Sequence, residues 1–150
     1  MLGRLRDLRP LLLNGDPARG RKAFETGGCL NCHRVGDQGG LAGPDLTRVG
    51  AIRTGGDILE SIVYPSSGFA QGYEPYLVTK LDGEEIFGTL VENQLEGVRI
   101  RELTGVIRFI PAREVESIVR KDLSVMPEGL DNLLSQEQLR DLLAYLQNLR

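Results

Sequence analysis

Cys29, Cys32 and His33 carry the most chemical information in the chain. In a C-x-x-C-H run each cysteine sulfur can add to a haem vinyl group, giving two thioether bonds. The spacing sets both sulfurs along one porphyrin edge, and the adjacent histidine supplies an axial imidazole. C-x-x-C also serves zinc sites and thioredoxin-like redox sites. A zinc site needs further Cys or His ligands, and the chain holds only two Cys and one His, all within this motif. A thioredoxin-like site needs a βαβ context, which the residues around Cys29 do not spell out. The motif therefore predicts one covalently attached haem c.

The same scarcity bears on the second axial position. With His33 as the sole histidine, two imidazoles from one chain are excluded. Methionine, another donor, water or no ligand remain. Met1 is terminal, whereas Met126 precedes Pro127 in a non-helical, glycine-bearing stretch. A lone methionine is ordinarily core filler, but this loop position favours Met126 as the sixth ligand in a His/Met pattern. A thioether ligand favours ferrous iron and raises the potential relative to two imidazoles. With both axial positions filled, oxygen and peroxide have no vacancy, so the expected function is single-electron transfer by a carrier that is not itself an enzyme. A haem-based ligand sensor or peroxidase-like module is the alternative, and it requires Met126 to leave. A third reading is a docking module in which haem is a structural pin.

These residues need elements to hold them. Asp16-Pro17 reads as an N-cap followed by proline at the first helical position, opening a helix that runs through Phe24 to Gly27-Gly28. A glycine-rich loop follows the motif, and a second helix is predicted over Asp57 to Tyr64, ended by Pro65. From Tyr73 the pattern changes to strands: Tyr76 to Leu81, Glu85 to Val91 after the Asp82-Gly83 turn, Val98 to Leu103, Val106 to Ile110 and Val115 to Val119. Val98 and Ile100 share a face, as do Ile107 and Phe109. Ser135 and Gln138 form a capping-box pattern for a last helix with Leu139, Leu142, Leu143, Leu146 and Leu149 as its apolar stripe. Residues 1–14 read as an extension, either a short amphipathic helix bearing Leu2, Leu5, Leu8 and Leu12 or a linker.

At 150 residues with about 41% hydrophobic content, the chain suits one domain with room for an insertion. A net charge of −3 with mixed signs offers no basic stripe for nucleic acid. No apolar run is long enough to span a membrane.

The chain resembles the class I cytochrome c fold. The resemblance rests on the Phe24-bearing helix, Cys29-x-x-Cys32-His33, Gly43-Pro44-Asp45-Leu46, Met126-Pro127 and the apolar last helix. It implies that the first and last helices cross, with Gly20 and Phe24 meeting the last near Leu142 and Tyr145. It also implies that the Pro44 carbonyl accepts a hydrogen bond from His33, fixing the ring and raising its basicity. A narrower resemblance is to the planctomycete-type haem-binding domain, a subfamily of bacterial cytochromes c. Gly15-Asp16-Pro17-x-x-Gly20, Ser61-Ile62-x-x-Pro65-Ser66, Gly72-Tyr73-Glu74 and Met126-Pro127-Glu128-Gly129-Leu130 carry it, and it covers residues 15–149. It implies redox protein partners or a fused dehydrogenase module. The strands after Tyr73 depart from the ordinary small cytochrome, so the expected fold is a mainly α cytochrome c fold with an inserted small antiparallel sheet or barrel, α+β overall.

The cytochrome c domain is accordingly expected over 15–150, with a β insertion at about 73–120 that is either a cover or docking surface for the haem or a structural replacement for a shorter loop. Arg48 and Arg53 could pair with haem propionates, or be solvated surface arginines. Tyr73 or Tyr76 could reach a propionate, or serve as ordinary strand aromatics. Haem attachment of this kind implies a periplasmic or other extracytoplasmic location. Arg4, Arg6 and Arg9 resemble a charged leader, but Leu11-Leu12-Leu13 is too short for a signal core, so the expectation is that Met1 starts a fragment of a longer protein.

Overall fold

The computed structural model describes residues 2–150; Met1, and with it the expectation about where the natural chain starts, lies outside the described residues. Helix α1 spans Leu2–Leu8 and continues as a 3-10 turn over Arg9–Leu12. Helix α2 covers Pro17–Thr26, and a 3-10 turn over Cys29–Asn31 leads into a two-stranded ribbon of β1 (Arg34–Val35) and β2 (Gln38–Gly39). Helices α3 (Val49–Ile52) and α4 (Gly55–Val63) follow. Strands β3 (Pro75–Lys80), β4 (Glu85–Gln94), β5 (Gly97–Arg101), β6 (Ile107–Pro111) and β7 (Val115–Arg120) come next, and α5 (Gln136–Gln147) closes the chain. Helix and strand are nearly matched in extent, an α+β mixture.

The helix ends follow from local chemistry. The Asp16 carboxylate accepts from the Ala18 and Arg19 amides, satisfying donors that the first turn of α2 leaves free. Capping boxes open α4, through Thr54 and Asp57, and α5, through Ser135 and Gln138. Thr54 moves the start of the second predicted helix to Gly55, ahead of Asp57.

One core lies among the helices. Phe24, Leu59, Leu142 and Leu143 are its most completely buried side chains, each worth about 1.5–3 kcal/mol relative to exposure. Helices α2 and α5 cross with their backbones nearly touching. A Cβ on Gly20 would lie 1.9 Å from the Asp141 carbonyl oxygen and 2.7 Å from Tyr145 Cβ, so only hydrogen fits. Beside it the Phe24 and Tyr145 rings pack with centroids 5.6 Å apart. Asp141, almost fully buried, ties the crossing together, accepting from the Asp16 amide at 2.7 Å and from Arg19 Nε at 2.8 Å.

Residues 2–13 pack on this core instead of trailing from it. Leu11 is buried, Leu5, Leu8 and Leu12 lie against the cluster, and Leu2 is exposed. Arg4 donates to the buried Asp131 carboxylate and, at 2.7 Å, to Asn132.

The five longer strands form one antiparallel sheet in the order β6-β5-β4-β3-β7. Its second core comprises Val78, Ile86, Val98, Ile100 and Ile110. Register shifts in β4 near Val91 and between Thr79 and Lys80 of β3 bend the sheet. Glu84, at the β3–β4 turn, accepts from Arg108 of β6 at 2.7 and 2.8 Å and from Lys80 at 3.2 Å, which curls the sheet further. Arg108 first and Lys80 second pull the Glu84 carboxyl down to about 2. Edge strands β6 and β7 do not pair, so the sheet stays open and is not a closed barrel. Ile107 and Phe109 do share a face, but the exposed one; Ile110 is the buried residue of β6. No helix among the described residues is long and apolar enough to cross a membrane.

Candidate functional site

The C-x-x-C-H residues occupy a single tight turn. Gly28, with φ +82°, adopts the left-handed backbone that turns the chain out of α2, a conformation a Cβ would strain. The Cys32 and His33 amides both donate to the Cys29 carbonyl, at 3.2 and 2.9 Å, so the two sulfurs and the imidazole project from one short coil. Both cysteines are free thiols. Cys29 lies against the helical core and burial pushes its thiol up, while Cys32 is exposed.

The loop after the motif folds back onto this coil. The Gly40 amide donates to the Leu30 carbonyl at 2.9 Å, Gly43 to Cys32 at 2.7 Å and Leu46 to Arg34 at 2.8 Å. This brings Pro44 to His33, whose Nδ1 lies 2.8 Å from the Pro44 carbonyl oxygen. A carbonyl can only accept, so the proton resides on Nδ1 and the Nε2 lone pair is left for a metal. Burial lowers the imidazole pKa more than the Pro44 contact raises it, which keeps the ring neutral, the form that ligates. Gly43 packs flat on the ring: a Cβ there would lie 2.6 Å from His33 Cε1 and 2.9 Å from Nδ1.

Met126 borders the same helical core as Cys29, Leu30, Leu46 and Tyr64. Its amide donates to Ser124 Oγ at 3.1 Å, and the Ser124 amide donates to Ser66 Oγ at 3.0 Å. Ser66 ends a motif quoted above for its resemblance alone, and nothing in its residue type flagged a link to a segment 58 residues away.

The remaining candidates are more scattered. Arg48 and Arg53 flank α3, both exposed and without a side-chain hydrogen bond or ion pair among the described residues. The Tyr73 ring lies under the Arg101 guanidinium of β5, 4.5 Å from its centroid, and Arg101 also donates to buried Thr89 at 3.0 Å. Tyr73 is therefore engaged with the sheet, through a cationic partner that β-strand patterning does not reveal.

Residues 17–87 match the family model for cytochrome c. Over this stretch, just under half of the chain, the sequence is similar to cytochrome c. The match takes in α2, Cys29, Cys32, His33 and Pro44 and stops within β4; the packing of α5 across α2 is seen in the structure. No curated protein matches the chain. A similarity to cytochrome c points to covalently bound haem c and haem-based electron transfer. The residues fit such a group: two free thiols and a neutral imidazole with its Nδ1 proton engaged share one coil, and a thioether borders the same apolar core.

Proposed function

We propose that this chain is a monohaem electron carrier in which Cys29 and Cys32 hold the porphyrin by thioether bonds and His33 and Met126 are the axial ligands. The observation that carries this reading is the orientation of His33, whose Nδ1 lies 2.8 Å from the Pro44 carbonyl oxygen, so that Nδ1 donates and Nε2 is the nitrogen left to ligate. The haem, when bound, supplies the one-electron chemistry. The chain's residues ligate, orient and bury it. Pro44 holds the ring angle and raises imidazole basicity. Met126 would supply the second protein ligand to the iron and favour its reduced state. The helical core around Phe24, Leu142 and Leu143 keeps water from the ligated centre, so little reorganisation accompanies each electron. Arg48 and Arg53 remain candidates for propionate pairing, and their exposure leaves them free to turn toward it.

The segment 73–120 reads as an insertion into the loop that precedes Met126, and residues 15–150 as one cytochrome domain preceded by an extension over 1–14. The resemblance to planctomycete-type domains supports a redox partner or fused dehydrogenase as electron donor, at an extracytoplasmic location. The deciding experiment is Met126→Ala with haem attached. Its reduction potential is expected to fall markedly, because a thioether that favours ferrous iron is gone. An unchanged potential removes Met126 as ligand.

A further inference from the structure

The segment between β7 and α5 hangs from few points. Upstream, the Lys121 amide donates to the Pro75 carbonyl at 2.9 Å and closes the sheet. Downstream, Arg4 holds Asp131 and Asn132. Between them, over residues 122–129, one hydrogen bond among the described residues reaches a distant part of the chain: Ser124 N–H to Ser66 Oγ, 3.0 Å, in the turn after α4. Ser124 then accepts the Met126 amide on its own Oγ at 3.1 Å. Ser124 is thus a hub, receiving the backbone of Met126 and giving its own amide to Ser66.

The two ends of this relay differ in rigidity. Ser66 directly follows buried Pro65, in the turn after α4, a helix whose Ile58, Leu59, Ile62 and Val63 are all buried. The side that receives the loop is thus tethered to the helical core through buried Pro65 and Val63. On the Met126 side the half-buried Met126 side chain borders the core, but Pro127 and Glu128 after it are exposed. A part-buried amide loses its partner if the Ser66 hydroxyl is removed, and the loop has no second bond to fall back on.

We infer that Ser66, acting through Ser124, is the positioning residue that latches the Met126 loop onto the turn after α4. This rests on Met126 being the sixth ligand. The relay sets how often the thioether leaves its place, and so whether the chain stays a closed electron carrier or opens to exogenous ligands.

The test compares the haem-loaded full chain with its Ser66→Ala, Ser66→Thr and Met126→Ala variants. Two quantities are read: the rate of carbon monoxide binding to reduced protein, and hydrogen-exchange protection of the Ser124 amide. Met126→Ala sets the open limit. Ser66→Ala should bind carbon monoxide about tenfold faster than the parent, as loss of one such bond implies, and should lose Ser124 protection. Ser66→Thr, which keeps the hydroxyl, should behave as the parent. Ser66→Ala matching the parent in both readouts, while Met126→Ala binds fast, overturns the latch and leaves the ligand reading intact. If Met126→Ala also matches the parent, the ligand reading falls and the latch falls with it.

Discussion

Gly43 fixes how near the backbone comes to the histidine that would face the iron. Its missing Cβ would lie 2.6 Å from His33 Cε1, well inside van der Waals contact, so Gly43→Ala must push the ring or the loop. Either movement lengthens the 2.8 Å contact with Pro44, and an imidazole with a weaker Nδ1 partner is less basic. The expected outcome is poorer haem incorporation and, in the protein that does load, a raised potential; redox titration of the purified variant checks it. An unaltered potential and yield would mean that the ring orientation has another source. At this scale the sequence was informative where chemistry is scarce. Two cysteines and one histidine in five residues leave few uses, and a carbonyl eleven residues after His33 is legible through resemblance. Ser66, Ser124 and the Arg101–Tyr73 stack were not, because side chains of ordinary type gain their meaning from tertiary neighbours alone.

The α2–α5 crossing carries the helical framework. Gly20→Ala places a methyl 1.9 Å from the Asp141 carbonyl oxygen. Overpacking of this kind costs about 3 kcal/mol, a loss readable by chemical denaturation. Asp141 adds a pH-dependent component. Its hydrogen bond with Arg19 above all, and the Asp16 amide, hold the carboxyl below the ordinary aspartate range against the opposing effect of burial. A depressed carboxyl contributes stability that is complete above about pH 4 and disappears as pH falls through the lower folded value. Asp141→Asn should therefore be less stable than the parent near neutrality, and the gap between them should narrow in acid. A constant difference from pH 7 down to pH 2 would show that the carboxyl's charge is immaterial. Element boundaries were readable where a cap names them, as Asp16-Pro17 and Ser135 do. They shifted where the cap was overlooked, as with Thr54. The two-residue strands β1 and β2 escape notice because four residues joined by Gly36-Asp37 carry no periodicity. The burial of Leu11 in place of Leu2 reflects a break from α-helix to 3-10 at Arg9, which changes the face presented to the core.

Over the whole molecule, helices and sheet keep separate cores, and the cytochrome c match ends inside the sheet. The alternation of Val98 and Ile100 announced the buried face of that sheet. The exposed face of Ile107 and Phe109 read just as apolar, and only the strand order and curl reveal which side is covered. The whole scheme turns on a covalent bond count, which intact mass reports without intermediary. The polypeptide matured in a haem-ligating host should weigh one haem more than its bare sequence, and its reduced form in alkaline pyridine should show the absorption of a haem whose two vinyl groups are saturated. A colourless product at the mass of the unmodified chain would contradict haem attachment at Cys29 and Cys32.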